Sequence, residues 1–323
     1  VAGVHGRHVR TWNQLTDVPR ALRAQLAAAY RITALAERAE QRSSDGTVKL
    51  LLSTWDGHAI ETVQIPARES GGAGQHHRLT VCISSQAGCA LACRFCATGQ
   101  MGLARNLTVG EIVEQVYLAE APGEPRRVDN IVFMGMGEPL ANPGAVMGAV
   151  RLMADPAGYG FSPRRITIST SGLVPQMRRL AEAGLPIRLA VSLHAPNDEL
   201  RGQLMPINRR YPIAQVLDAA RGYAECSGRR VSYEYVMLDN VNDSLAHAEQ
   251  LADLLAGEPA HVNLIPYNET GAGYRATPAE RIHAFARILR ARSIPSSIRA
   301  SRGRDIAAAC GQLKAEEERL PVT

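Results

Sequence analysis

Three of the six cysteines in this chain fall within eight residues, as Cys89-x3-Cys93-x2-Cys96. Three thiolates on one tight loop can bind three corners of an iron–sulfur cube, leaving the fourth iron open to a substrate. A structural zinc site asks instead for four ligands and closed coordination. Cys82, His76 and His77 are the nearby choices for a fourth ligand, and no second C-x-x-C pair exists to make a zinc ribbon. A zinc deaminase is disfavoured too, because no H-x-E is paired with a P-C-x-x-C. The plain alternative is three core cysteines by coincidence, and the spacing argues against it. The crowding is a ligand pattern and excludes a secreted disulfide framework. Taken singly, Cys82 and Cys310 read as small core residues, and Cys226 as an incidental thiol.

The elements that must position this loop read as strand, loop, helix, repeated from residue 79 onward. Apolar runs at 79–84, 130–134, 165–169, 187–192, 231–238 and 261–265 read as buried parallel strands, with a last extended piece at 296–300. Helical periodicity covers 109–120, 143–154, 174–183, 213–224, 244–256 and 278–291. Six or seven such units are too few for a closed eightfold barrel, so the expected class is α/β with a partial (β/α)6 barrel. The chemistry then belongs at the C-terminal strand ends.

Before the barrel, residues 1–45 read as helical, with Leu22, Leu26, Ala29, Tyr30, Ile32 and Leu35 at helical spacing. Strands at 48–54 and 59–65 flank Asp56-Gly57, a hairpin signal. Residues 66–78 read as an exposed loop. The expected division is 1–45 as helical accessory piece, 46–78 as hairpin and loop, 79–314 as barrel with its C-terminal catalytic segment, and 315–323 as tail.

The 323 residues are 46% hydrophobic and 21% charged, which excludes disorder throughout and collagen-like sequence. No apolar run reaches the ~18 residues of a membrane helix. No apolar segment follows the polar start, so no secretory signal is read and the cytoplasm is the expected compartment. The net charge of +5 permits an RNA partner. Only two of the 36 basic residues are lysine (Lys49 and Lys314), a bias that GC-rich coding explains as well as phosphate binding does.

A resemblance then becomes plain. Cys89-Ala-Leu-Ala-Cys93-Arg-Phe95-Cys96, with an aromatic before the last cysteine, resembles the radical S-adenosylmethionine (SAM) signature. CISSQAGCALACRFCATG (82–99), RNLTVGEIVEQV (105–116), FMGMGEPLAN (133–142), ITISTSGLVP (166–175), AVSLHAPND (190–198), LMPINRRYPI (204–213), EYVMLDNVND (234–243), HVNLIPYN (261–268) and DIAAACGQL (305–313) resemble one family in collinear order. It is the radical-SAM methyltransferases that act on adenine C2 in 23S ribosomal RNA and in some tRNAs. The resemblance implies that Cys89, Cys93 and Cys96 hold a 4Fe–4S cluster, and that two SAM molecules are used per turnover. It implies SAM contacts at Gly137, Glu138, Ser169, Ser192, Leu193, His194 and Asn268, which fall at or just beyond strand ends and, taken singly, read better as turn or cap residues. Cys310 becomes the methyl carrier, Cys82 a partner that aids release by a disulfide with Cys310, and Glu61 a proton acceptor. Partners implied are 23S rRNA, some tRNAs and an electron donor such as flavodoxin or ferredoxin. No membrane is involved, and a monomer is expected. The chemistry suits the target, because adenine C2 is an electron-poor carbon that ordinary methyl transfer from SAM serves poorly.

The chain departs from the family's pattern in two places. The accessory helices are represented only by 12–26, and the 66–78 loop is long. Three rivals stand beside this reading: a sister branch that methylates C8 of the same adenine and confers antibiotic resistance, a radical-SAM protein activase, and a non-catalytic zinc-binding RNA module. GMGEP and SLHAPND look more like the C2 branch, and the Cys82/Cys310 pair argues against an activase. Arg302 and Arg304 are the foremost candidates for RNA phosphate contacts, followed by Arg164-Arg165 and Arg209-Arg210. Arg126-Arg127 and Arg229-Arg230 lie farther from the motifs.

Overall fold

A computed structural model describes residues 9–67, 78–120 and 128–315. Its strands are β1 (Leu35–Arg42), β2 (Val48–Thr54), β3 (Ala59–Pro66), β4 (Leu79–Cys82), β5 (Gln86–Cys89), β6 (Gly102–Asn106), β7 (Val128–Phe133) and β8 (Ile166–Thr170). They continue with β9 (Arg188–Ser192), β10 (Val231–Met237), β11 (Ala260–Pro266) and β12 (Ser296–Ile298). The helices are α1 (Arg20–Ala29), α2 (Ala97–Gln100), α3 (Val109–Leu118), α4 (Pro143–Ala154), α5 (Val174–Glu182), α6 (Asp198–Leu204), α7 (Ile213–Ser227), α8 (Leu245–Leu254) and α9 (Ala279–Ala291).

Ten strands form one open sheet in the order β1-β2-β3-β4-β7-β8-β9-β10-β11-β12, and β5 pairs with β6 separately. From β1 to β4 the pairings are antiparallel. From β4 onward every neighbour is parallel. Six strand–helix units followed by the short β12 give the partial barrel that the sequence pattern implies.

The period of two along each strand sorts the side chains. On β8, Ile166 and Ile168 are buried while Thr167 and Ser169 are half-buried; on β11, Ala260, Val262 and Leu264 are buried while His261, Asn263 and Ile265 are less so. The first set joins a core with helix residues such as Val146, Met177, Val216, Leu251 and Phe285. The second set faces the barrel interior. Helix starts are fixed by local chemistry. Thr108 and Glu111 form a capping box on α3, with Thr108 N–H donating to Glu111 Oε2 at 2.8 Å. Asn197 caps α6 and Ser244 caps α8.

One expectation fails. Helical spacing over 18–40 yields a helix only at α1, none of whose residues is buried. Residues 35–42 are strand β1, paired along β2. The residues of β1 favour helix by propensity, but β2 offers a row of backbone partners and β1 closes that edge. The hairpin of β2 and β3 forms as expected, with Gly57 at a φ of +87° in its turn. Most of the 66–78 loop, with His76 and His77, lies outside the described residues, as do Arg126 and Arg127. No helix among the described residues is long and apolar enough to cross a membrane.

Candidate active site

β5 delivers Cys89 at its end, and the chain then makes a tight loop to Cys96 at the start of α2. The loop is held by Cys96 N–H donating to the Cys93 carbonyl at 3.1 Å. Gly99 is needed under it, since a Cβ there would meet the Cys93 carbonyl oxygen at 2.9 Å. Burial raises all three thiol pKa values, Cys89 to about 11, and neighbouring anionic groups push the same way. A cationic iron core would remove that penalty, so the donor set fits one. Among the described residues no three His, Cys, Asp or Glu converge as they would around a single metal ion. A cube takes one thiolate per iron, so its ligands stand farther apart than those of zinc.

Beside this loop lies a cleft of about 810 Å³, counting its open mouth. Gly137, Glu138, Ser169, Ser192, His194 and Asn268 all line it, as do Cys96 and Cys310. Gly137 has a φ of +95°, and a Cβ on it would sit 2.5 Å from Gln86 Cβ, so only glycine fits there. Glu138 is buried and its pKa is raised by that burial. Its Oε1 accepts from Leu140 N–H at 3.0 Å and its Oε2 from Ser171 N–H at 2.8 Å, which ties the ends of β7 and β8 together.

His194 sits at a φ of +59° with Nδ1 accepting Val236 N–H at 3.0 Å. That bond places the ring proton on Nε2. Burial, helped by the charge of Arg201, lowers its pKa to about 3, so the ring is neutral. Asn268 donates to the Cys310 carbonyl at 3.3 Å, while its buried Oδ1 has no partner. A buried acceptor left open in a ligand-sized cleft is what a bound polar group would satisfy. Leu193 is placed differently. Its side chain is fully buried in the core, and its N–H and carbonyl are taken by Glu234 and Arg201.

Cys310 stands on the C-terminal segment, which is sewn to the cysteine loop. Ala97 N–H donates to the Gly311 carbonyl at 2.8 Å, and Thr98 Oγ1 to the Leu313 carbonyl at 2.6 Å. Cys310 also lines a second cavity of about 600 Å³, which Cys82 lines from β4. The expected Cys82–Cys310 disulfide is not present: both are free thiols. Burial, then the charge of Cys310, raises Cys82 to about 12, which keeps it a protonated, poor nucleophile.

Glu61 lies outside both cavities. Its Oε1 is 2.9 Å from Lys49 Nζ, and its Oε2 accepts the N–H groups of Lys314 at 2.8 Å and Ala315 at 3.2 Å. It anchors the segment that carries Cys310. Of the RNA candidates, Arg302 lies 3.8 Å from Asp45 Oδ2 and is mostly covered, whereas Arg304, Arg209 and Arg210 are exposed. Arg164-Arg165 and Arg229-Arg230 precede β8 and β10, at the end of the barrel opposite the cleft.

Three residues escaped the sequence reading. Glu234 pairs in register with Ser192 and Asn263, and its Oε1 accepts from Asn263 Nδ2 at 2.8 Å. Arg299, just past β12, lines both cavities, 3.8 Å from Glu234 Oε2, and its pKa is raised chiefly by Cys310. Its place at a C-terminal strand end was the available signal. Arg201 gave none, being one of many arginines and standing on a short helix.

Residues 83–255 match the model of the Radical SAM superfamily. The chain is 52% identical over 313 residues to the dual-specificity RNA methyltransferase RlmN of Anaeromyxobacter sp. (strain Fw109-5), covering 94% of this chain and 80% of that protein. It is 47% identical over 315 residues to the protein of the same name from Syntrophobacter fumaroxidans, covering 97% and 90%. The crystal structure of a radical SAM methyltransferase from Sphaerobacter thermophilus superposes with a TM-score of 0.92 at 50% identity, covering 98% of this chain and 91% of that one. With the cysteine loop, the adjoining cleft and Cys310 in one place, the chain belongs to the radical SAM superfamily and, within it, to the RlmN family of dual-specificity RNA methyltransferases.

Proposed function

We propose that this chain methylates C2 of an adenine in 23S rRNA and in tRNA, with Cys310 as the methyl carrier. The observation that carries the reading is the position of Cys310: it opens onto the cleft beside Cys96 on one side and faces the Cys82 cavity on the other. As thiolate, Cys310 attacks the methyl carbon of SAM; its new S–C bond forms as the sulfonium bond breaks, leaving S-adenosylhomocysteine. A 4Fe–4S cluster held by Cys89, Cys93 and Cys96 supplies, when bound, the electron that splits a second SAM reductively. Gly137, Glu138, Ser169, Ser192, His194 and Asn268 orient SAM. The methyl carbon on Cys310 is then the one delivered to adenine, which must leave its stack to reach it.

Cys82 stands as second thiol at the release step. Glu61 accepts a proton in this scheme once Lys314 and Ala315 free its Oε2. The relatives' dual-specificity naming supports the C2 reading over the C8 branch. A small flavodoxin or ferredoxin is the electron donor, the chain acts as a monomer, and its place is the cytoplasm. We assign 1–45 as accessory segment, 46–78 as hairpin and loop, 79–314 as barrel and 315–323 as tail, with β1 of the first joined to the sheet of the second. Anaerobic purification tests the site: iron and sulfide near four each per chain support it, and a colourless zinc protein overturns it.

A further inference from the structure

Arg201 on α6 has no solvent exposure. All five of its N–H groups are spent. Nε donates to the Leu193 carbonyl at 3.1 Å; Nη1 donates to Asn208 Oδ1 at 2.7 Å and the Tyr211 carbonyl at 3.5 Å. Nη2 donates to the carbonyls of Ser171 at 2.7 Å and Ser192 at 3.1 Å. Every acceptor is neutral; the Asp198 carboxylate is reached only through Asn208, whose Nδ2 donates to Asp198 Oδ1 at 2.9 Å. A buried charge without an opposite charge in direct contact is costly, and a nearer anion would offset that cost.

The fold says where it would stand. The last residue of α6, Leu204, accepts the N–H of Arg94 at 3.0 Å, next to Cys93 in the cysteine loop. Cys93 packs against the buried cluster that Leu204 and Met205 form with Val236, Leu238 and Tyr267. Burial lowers the Arg201 pKa to about 10, and Cys93 is the foremost group opposing that, ahead of Asp198. The guanidinium is therefore built into the wall behind one proposed cluster ligand while fastening the loops after β8 and β9.

We infer that Arg201 is the buried counter-charge of the cysteine-held cluster, favouring its reduced, more negative state and so setting its potential. This rests on the reading of Cys89, Cys93 and Cys96 given above. Arg201 is a positioning residue as well, through its five hydrogen bonds, and the two roles separate by substitution. Arg201→Lys keeps the charge and loses the fork; Arg201→Gln and Arg201→Met lose the charge.

The test is a reductive titration of anaerobic holoenzyme followed by the electron paramagnetic resonance signal of the reduced cluster, after iron and sulfide counts. In the two neutral variants reduction should become about tenfold less favourable, a shift of about 59 mV to more negative potential for one electron. Arg201→Lys should stay near wild type in potential while binding SAM more weakly. Loss of the cluster in both neutral variants but not in Arg201→Lys also supports the inference. Equal potentials in all four proteins overturn it, as does equal loss of cluster in all three variants. A wild-type protein without any cluster overturns the underlying site reading instead.

Discussion

Cys310 and Cys82 are both free thiols on one cavity, yet their surroundings treat them differently. Cys82 is buried on a strand and held protonated, while Cys310 is half-buried with Arg299 close by. Only Cys310 is arranged to attack. Cys310→Ala should abolish RNA methylation while reductive cleavage of SAM continues, read as 5′-deoxyadenosine by chromatography; surviving methylation would remove the carrier role. His194 gives a pH prediction. Its folded pKa of about 3 lies below its ordinary value of 6.5, so the unfolded chain binds more protons between those values. Its contribution to stability is complete above about 6.5 and is lost as the pH falls toward 3. Urea midpoints of wild type and His194→Gln should therefore keep a constant gap above pH 7 and converge below 6; a gap that widens on acidification contradicts the assignment. At this scale the sequence was informative where spacing encodes geometry, as in the three cysteines. It was silent on Glu234 and Arg201, whose roles come from strand register and loop closure.

The C-terminal segment is an element with almost no regular structure, held instead by hydrogen bonds to α2, Asn268 and Glu61 on β3. Glu61 and Lys49 form a nearly buried pair there. Breaking such a pair leaves one charge uncompensated and costs about 3 kcal/mol. Glu61→Ala should lower the urea unfolding free energy by about that amount and open 300–315 to limited proteolysis. An unchanged midpoint and cleavage pattern would show that Glu61 does not anchor the segment. The parallel strands were legible because buried strands read as apolar runs, and their helices because of their periodicity. β1 was not, since its Ala, Glu and Arg residues favour helix and only the open edge of β2 makes them a strand. β5 and β6 were hidden too, being short, glycine-bearing and without alternation.

For the whole molecule, the barrel's polarity decides which arginines can meet RNA. Arg209, Arg210 and Arg304 follow C-terminal strand ends and are exposed; Arg164, Arg165, Arg229 and Arg230 sit at the opposite end. Arg302 is engaged by Asp45. Replacing Arg209, Arg210 and Arg304 by Ala should weaken RNA binding. The slope of log affinity against log salt should flatten by about 0.7 to 0.9 for each arginine–phosphate pair removed. Replacing Arg164 and Arg165 should do neither; the reverse pattern in a filter-binding salt series would place the RNA at the wrong end of the barrel. Composition could not make this distinction, because nearly all the basic residues are arginine and only topology gives them a side. The proposed reaction is methylation of adenine C2 through Cys310. Its most direct test is the nucleoside product formed by anaerobic, reconstituted protein with SAM, a reductant and a protein-free 23S rRNA fragment, resolved by chromatography and mass spectrometry. The expected product is 2-methyladenosine; 8-methyladenosine, or no methylated nucleoside from protein with an intact cluster, would contradict the proposed reaction.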